Sequence, residues 1–525
     1  MSDYVVIGAG AAGCVLAGRL SENGATSVTL LEAGGTNKKL FVGLPAGFNK
    51  LFKSHDDWAY FTEPEPELGE RRLYWPRGKL LGGSSSMNAM IYMRGTPADY
   101  DGWSALGCAG WSWRDVLPFF LKAERNARGA SDHHGGDGAI HVSELRETSP
   151  VSRAFIDACV EHGFARTDDF NGPNHEGFGF YQVTQHRGRR FSAADAYLAP
   201  ARKRRNLHVE TKARVTRLLF ERARCIGVEY VKNGKTKRVL ATREVLLAGG
   251  AINSPQLLLA SGIGPADELR ALGIDVVADV RGVGKNLQDH PLVGLYYACK
   301  EPITLDVAEG IPNLLRYLFG GRGPLTSNVA EAGGFWRSRA DLKEPDLQLH
   351  FAPAWFVDHG FTKPEGCGFS IGPTLLHPQS RGEIRLRSAD PRDPPRIFAR
   401  YLSDRRDLDT LVAGVKTMRE VAKGKALAAY RGTERSPGEA VRTDSEIADY
   451  VRRGLETLYH PVGTCKMGTD ADAVVDPELR VRGVGGLRVI DASIMPKIPG
   501  GNTQAPTVMI AERAAALLGG TNGAR

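Results

Sequence analysis

The stretch "VIGAGAAG", Val6 to Gly13, decides how the rest of the chain is read. Glycine-rich turns are common, so the spacing Gly8, Gly10, Gly13 counts only through its flanks. Before it, "DYVVI" is a short β-branched run that reads as a buried strand; after it, "AAGCVLAGRLSENG" has helical spacing and ends at Gly24. "SVTLLE" follows as a second strand, and Glu32 closes it nineteen residues after Gly13. In such a strand-turn-helix-strand unit the glycines permit the tight turn, the close approach to a pyrophosphate and the close packing of helix on strand, while the carboxylate meets ribose hydroxyls. The pattern predicts dinucleotide binding. Glu32 would repel a 2′-phosphate and so disfavours NADP, but it does not separate NAD from FAD.

The 525 residues are too many for one core, which predicts two domains, interleaved or consecutive. A hydrophobic share of 42% with 24% charged residues is that of an ordinary globular protein. The first strand begins by Asp3, leaving no room for a signal peptide, and no apolar run approaches the roughly 20 residues that span a bilayer. A cytoplasmic protein is expected. Cys14, Cys108, Cys159, Cys225, Cys299, Cys367 and Cys465 are scattered and form no C-x-x-C pair, which predicts plain thiols, with no disulfide frame and no metal site. The net charge of +8 is modest, and the basic residues cluster only in "ARKRRN", Ala201 to Asn206, between a helix and the strand "LHVE". That run reads as a solvated turn, with contact to an acidic membrane surface as the alternative. No aromatic residues interleave with it, so nucleic-acid binding is set aside.

Glycine-rich, strand-rich text recurs in the first thirty residues, from Leu207 to Asp289, and from Leu487 onward. Between Tyr296 and Leu458 the text changes, with the aromatic cluster "HFAPAWF" and the alternating "RGEIRLRS". This spacing predicts a nucleotide domain assembled from separated segments, interrupted by substrate-binding text. The loop "PRGKLLGGSSSMNAMIYMRG", Pro76 to Gly95, has side chains small enough at Gly82, Gly83, Ser84 and Ser85 to bring backbone N–H groups close to a large anionic group.

Together with "GAINSPQLLLASGIG", this loop resembles the two signature segments of the glucose-methanol-choline (GMC) oxidoreductases, a family of FAD-dependent enzymes. "VGKNLQDH", "YHPVGTCKMG" and "RVIDASIMPKIPGGNTQAPTVMIAE" resemble further family segments in family order, so the resemblance runs the whole chain. Within the family the text is most similar to bacterial primary-alcohol dehydrogenases of alkane degradation, with choline dehydrogenases next. The resemblance implies a mixed α/β fold: a Rossmann-like FAD-binding domain from 1–155, 192–295 and 459–525, and an antiparallel-sheet substrate domain from 156–191 and 296–458. It puts Gly8, Gly10 and Gly13 at the FAD pyrophosphate, Glu32 at the adenosine ribose and Val215 at the adenine. Gly83, Ser84 and Asn88 fall at the flavin end, Asp491 near the pyrophosphate and ribityl chain. Some members tether FAD through a histidine where this chain has Met87, whose thioether offers no comparable bond, so non-covalent FAD is expected.

His460 follows "TDSEIADYVRRGLETLY", which opens on a capping box, Thr443 and Glu446, and reads as a helix that breaks by Pro461. Oxidising an alcohol removes a hydroxyl proton as well as a hydride, and an imidazole can take that proton at neutral pH. In the family-like "HPVGTC", His460 is the expected proton acceptor, and Asn502 in "GGNTQAPT" resembles the position that hydrogen-bonds the substrate oxygen. Thr503 suits an N-cap, Pro506 a first turn, and "TVMIAERAAALL" runs on as a helix to Gly519 and Gly520. Aimed at the flavin, as the resemblance implies, that positive helix end would favour its reduction. The resulting expectation is oxidation of a primary alcohol to an aldehyde by hydride transfer to flavin N5. Electrons would go to a quinone or similar acceptor, which would bring the enzyme to the inner face of the cell membrane without spanning it. The alternatives are a choline dehydrogenase, an alcohol oxidase using O2, or a non-redox or light-driven member such as a hydroxynitrile lyase or fatty-acid photodecarboxylase. Trp336, Phe351, Trp355 and Phe356 stand as candidates for an apolar pocket or for core. The tether expectation has a direct check: acid precipitation should leave the yellow flavin in the supernatant, whereas flavin held in the pellet would show a covalent bond.

Overall fold

The computed structural model describes residues 1–308 and 310–519; the end of the expected third FAD-binding segment, 520–525, and with it Gly520, lies outside the described residues. The opening strand, Ser2–Ile7, is central to a parallel sheet, pairing with Val28–Glu32 on one side and with Lys235–Leu247 on the other. Leu207–Thr211 extends the sheet beyond Val28–Glu32, and Leu487–Val489 beyond Lys235–Leu247, again in parallel. Every residue of Val28–Glu32 is buried, the signature of a parallel strand covered on both faces. Lys235–Leu247 serves two purposes. Its first half forms an antiparallel meander with Arg224–Lys232 and Arg214–Glu221, and its second half enters the parallel sheet.

The glycine loop works by contact between backbones. Gly8 has φ +93°, and a Cβ there would lie 2.6 Å from the Ala248 carbonyl oxygen. A Cβ on Gly13 would lie 1.8 Å from the carbonyl oxygen of Gly8, so only glycine lets the Ala11–Leu20 helix settle on its strand. That helix stops at Ser21, before Gly24. Its last carbonyls are taken locally, as Ser21 Oγ donates to Ala17 at 2.7 Å and the Arg204 guanidinium donates to Gly18, and beyond it the Asn23 side chain accepts from the amides of Ala25 and Thr26 in a turn. Arg204 thus anchors the basic run, while Arg202, Lys203 and Arg205 are exposed.

The second sheet is antiparallel and eight-stranded. Its order is Arg431–Ser436, Leu295–Cys299, Gly368–Leu375, Leu347–Ala352, Ala332–Trp336 and Gly177–Phe180, with Pro291–Val293 and Leu455–Thr457 attached. Helices Pro150–Glu161 and Arg405–Ala422 cover it, and Phe155 stacks on Phe351 with ring centroids 4.4 Å apart. Trp336 and Phe351 therefore belong to the core of this sheet. Trp355 is buried too, its indole N–H donating to the Gly366 carbonyl at 2.9 Å. Among the described residues no helix is long and apolar enough to cross a membrane, and no cluster of ligating side chains could hold a metal ion. All seven cysteines are free thiols.

One substitution pair tests the backbone contact. Gly13→Ala should destabilise the fold by about 1–3 kcal/mol or more through overpacking, whereas Gly35→Ala, where a Cβ meets nothing within 4 Å, should be nearly neutral. Equal melting temperatures for the two variants would show that the helix can yield at Gly13.

Candidate active site

A single continuous cavity of about 350 Å³ runs from the glycine loop to His460. Gly8, Gly10, Glu32 and Val215 line one end, Gly83, Ser84, Asn88 and Asp491 the middle, and His460, Asn502 and Thr503 the other. Gly13 is not in the wall, consistent with its place under the strand. Three helices, Ala11–Leu20, Gly250–Ala260 and Gln504–Leu518, begin at the cavity, as Ala11, Gly250 and Gln504 in its lining show. Their N-terminal partial positive charges converge there.

The wall is shaped for a nucleotide. Gly83, at φ +53°, brings the second glycine loop so close to the first that a Cβ would lie 2.7 Å from Gly10 Cα. Glu32 accepts from the amides of Ala9 at 2.8 Å and Gly34 at 2.7 Å. Burial pushes its carboxyl up to about 7, against the lowering effect of those amides; paired hydroxyl donors are what such a group lacks. Asp491 is engaged differently: its oxygens accept from Gly250 N at 2.8 Å, Ser254 Oγ at 2.6 Å, and both Ser493 N and Oγ. It ties the start of the Gly250–Ala260 helix to the cavity floor. Met87 lines the cavity and packs among Val42, Phe48 and Tyr74.

At the far end, the expected long helix before His460 ends at Gly454. Its capping box, Thr443 and Glu446, is present. Leu455–Thr457 leaves the helix to pair with Pro291–Val293, and this pairing meets the need of buried backbone groups for partners where the helix stops. The pairing continues as the Leu458 amide donates to the His290 carbonyl at 2.9 Å, which sets His290 beside His460. Tyr459 takes φ +69°, and its amide donates to Thr457 Oγ1 at 2.8 Å. Asp289 then accepts from the His460 amide at 2.6 Å, and also from Thr457 Oγ1 and the Tyr401 hydroxyl. The backbone at His460 is thus held from several sides.

The hydrogen-bond chain assigns the His460 tautomer. His290 Nε2 lies 3.0 Å from the Leu376 carbonyl, which can only accept, so Nε2 carries the proton. Burial lowers His290 to about 3, so the ring is neutral and its Nδ1 is an acceptor. Across 2.9 Å it faces His460 Nδ1, which must then donate. Burial, His290, His350 and Arg77 hold His460 well below its usual range, so this ring is neutral too, and its Nε2 is an acceptor. Asn502 Nδ2 stands 3.3 Å from that nitrogen. The amide is oriented because Gln348 Nε2 donates to Asn502 Oδ1 at 3.1 Å. A proton acceptor and an amide donor therefore meet at one point of the cavity.

Family models described as GMC oxidoreductase match residues 2–292 and 378–511. The chain is a GMC oxidoreductase. The alcohol dehydrogenase [acceptor] of Pseudomonas putida is 45% identical across 99% of this chain and 96% of its own length. The mitochondrial choline dehydrogenase of Homo sapiens is 46% identical across 99% of this chain and 90% of its own. Among solved structures, pyridoxine 4-oxidase from Mesorbium loti superposes with a TM-score of 0.92 at 33% identity, each chain fully covered. GMC oxidoreductases bind FAD, and the glycine cradle, Glu32 and the converging helix ends fit it.

The sequence motifs point to both ends of this GMC site but pass over its supports. His290 is the last residue of the family-like "VGKNLQDH", and its distance of 170 residues from His460 hides the contact. Gln348 and His350 alternate along one strand, a pattern that any half-buried strand shows. His350 lines the cavity with a buried Nε2 that has no partner among the described residues. Of the four candidate aromatic residues, only Phe356 lines the cavity.

Neutral burial of the two imidazoles has a pH consequence. Their folded values lie below the ordinary 6.5, so as pH falls the unfolded chain takes protons first. Their contribution to stability is complete above pH 6.5 and is lost as pH falls below it, that of His290 as pH falls toward 3. The melting temperature of His290→Phe should therefore fall less steeply between pH 6.5 and 4 than that of the wild type, whatever its value at neutral pH. Parallel slopes would mean that His290 is not held neutral.

Proposed function

We propose that this GMC oxidoreductase oxidises an uncharged primary alcohol to an aldehyde and passes the electrons to a quinone or similar acceptor. One observation carries the reading: the unprotonated Nε2 of His460 and the amide donor Nδ2 of Asn502 stand 3.3 Å apart in the cavity wall. The alcohol oxygen would face both nitrogens in place of their direct contact, donating its proton to His460 Nε2 while accepting from Asn502 Nδ2. The charge gained by His460 is shared through its Nδ1–H bond to His290. Bound FAD, held without a covalent tether, supplies the hydride acceptor. Gly8, Gly10, Gly83 and Ser84 would approach its phosphates, Glu32 its ribose, Val215 its adenine, and Asn88 and Thr503 its flavin end.

Substrate class follows from the wall around His460. Phe48, Phe52, Tyr296, Phe356 and Ile371 make it apolar. The carboxylates among the described lining residues, Glu32 and Asp491, belong to the nucleotide cradle. Aromatic faces can hold a quaternary ammonium as well as an alkyl chain. The preference for an alkanol over choline therefore rests on the lack of a carboxylate near His460 among the described lining residues and on the resemblance to the bacterial alcohol dehydrogenases.

His460→Ala tests the assignment. The variant should fold and bind FAD with a normal visible spectrum, while anaerobic flavin reduction by alcohol slows by a factor on the order of 10²–10⁴. Reoxidation of reduced enzyme by a dye should be nearly unchanged. Near-wild-type reduction would remove His460 from the chemistry, and loss of FAD would make its role structural. For the wild type, kcat/KM should be higher for a medium-chain alkanol than for choline, and turnover faster with quinone analogues than with oxygen. Better activity on choline, or peroxide formed at the dye-assay rate, would overturn the substrate or the acceptor respectively.

A further inference from the structure

Away from the cavity, helix Ile311–Gly320 carries its apolar stripe on the outside. Positions 311, 315, 318 and 319 share one face by helical spacing. Ile311 is 73% exposed, Leu315 46%, Leu318 51% and Phe319 87%. The helix's one buried residue is Tyr317, whose hydroxyl donates to the Gly43 carbonyl at 2.7 Å. That bond holds the helix against the short helix Leu40–Gly43, where Leu40 and Phe41 are also exposed. Single exposed apolar side chains need no explanation. Here six of the thirteen most exposed large hydrophobic residues among those described sit on two linked elements, and a group of that kind marks a contact surface.

The rim is basic. Arg316 and Lys38 are exposed, with Glu147 and Asp195 as their respective ion-pair partners. Arg322 is exposed just past the helix, and the exposed Arg187 and Arg189 flank a tight contact of Gly188 with Gly321. The Arg189 guanidinium reaches Gly43, so these cations border the apolar face on the side of Leu40 and Phe41.

We propose that this face docks on an anionic lipid bilayer. Projecting apolar side chains find hydrocarbon there, and the arginines find headgroup phosphates. A bilayer is favoured over a second copy because the basic rim is complementary to anionic headgroups, whereas a second copy carries the same net charge of +8. Docking would also have a use. Pro324–Thr326, just after the helix, packs on Pro45–Leu51, and Phe48 of the latter lines the cavity together with Val329, three residues past Thr326. The cavity wall would then stand at the membrane, where apolar alcohols and quinones partition. That benefit rests on the proposed chemistry, whereas docking itself does not.

The test is sedimentation of the FAD-loaded enzyme with phosphatidylcholine vesicles prepared with and without phosphatidylglycerol. Wild type should bind the anionic vesicles, and added salt should weaken binding. Leu318→Asp with Phe319→Asp should reduce the partition roughly tenfold or more, and Arg187→Glu with Arg189→Glu by at least about fivefold per residue. Dye-linked turnover in solution should be unchanged in both variants, since neither site touches the cavity. Absence of wild-type binding, or equal binding by the variants, would overturn the proposal. So would a dimer in sedimentation velocity that Phe319→Asp dissociates, because the face would then be a contact between copies. Vesicle binding needs no turnover, so failure of the alcohol assay would leave this result intact.

Discussion

Three residue pairs of antiparallel sheet, Pro291–Val293 against Leu455–Thr457, are the constraint on which the site depends. This pairing ends a helix one would expect to continue, and it brings two remote histidines to hydrogen-bonding distance. Asp289 and His290, at the near end of one strand, become supports for His460 at the far end of the other. One carboxylate fixes the backbone of that residue, and one imidazole fixes its proton. Without the pairing, His460 would be a residue at a loop, free to rotate and to exchange tautomers.

The two ends of the cavity solve opposite electrostatic problems. At the nucleotide end, the N-termini of Ala11–Leu20 and Gly250–Ala260 and a cradle of backbone amides favour negative charge, and glycine lets the backbones approach. At the His460 end, burial and neighbouring imidazoles disfavour positive charge, so the base stays neutral and ready to accept a proton. Proton acceptance there is uphill in isolation; the Nδ1–Nδ1 contact with His290 gives the charge a second ring over which to spread.

Direction matters along that chain of hydrogen bonds. A single backbone carbonyl, Leu376, orients His290, which orients His460, and Gln348 independently orients the Asn502 amide. Backbone carbonyls are suited to this task because they cannot donate, so the assignment does not alternate. The outward helix Ile311–Gly320 belongs to the same economy of placement. It packs on Pro324–Thr326, next to the segments that line the apolar part of the cavity.

Much of this was legible in the text of the chain. Gly8, Gly13 and Glu32 could be assigned because their jobs, a tight turn, a close packing and a carboxylate at a strand end, are local and leave a fixed spacing. The capping box at Thr443 and Glu446 was legible for the same reason. His460 and Asn502 were recognisable as a family pattern. Their meeting across the cavity was not, nor were His290, Asp289 and Gln348, because each acts through a partner far away in sequence and carries no spacing of its own. Aromatic residues misled for a related reason: Phe351 lies within the strand Leu347–Ala352 and joins the core of the sheet, whereas Phe356 stands beyond the strand's end and reaches the cavity. Sequence by itself determined the glycine cradle, since backbone conformation and steric closeness are written locally. Only the tertiary structure decided which nitrogen of His460 is free to accept a proton, since a tautomer is set by whatever the other nitrogen meets.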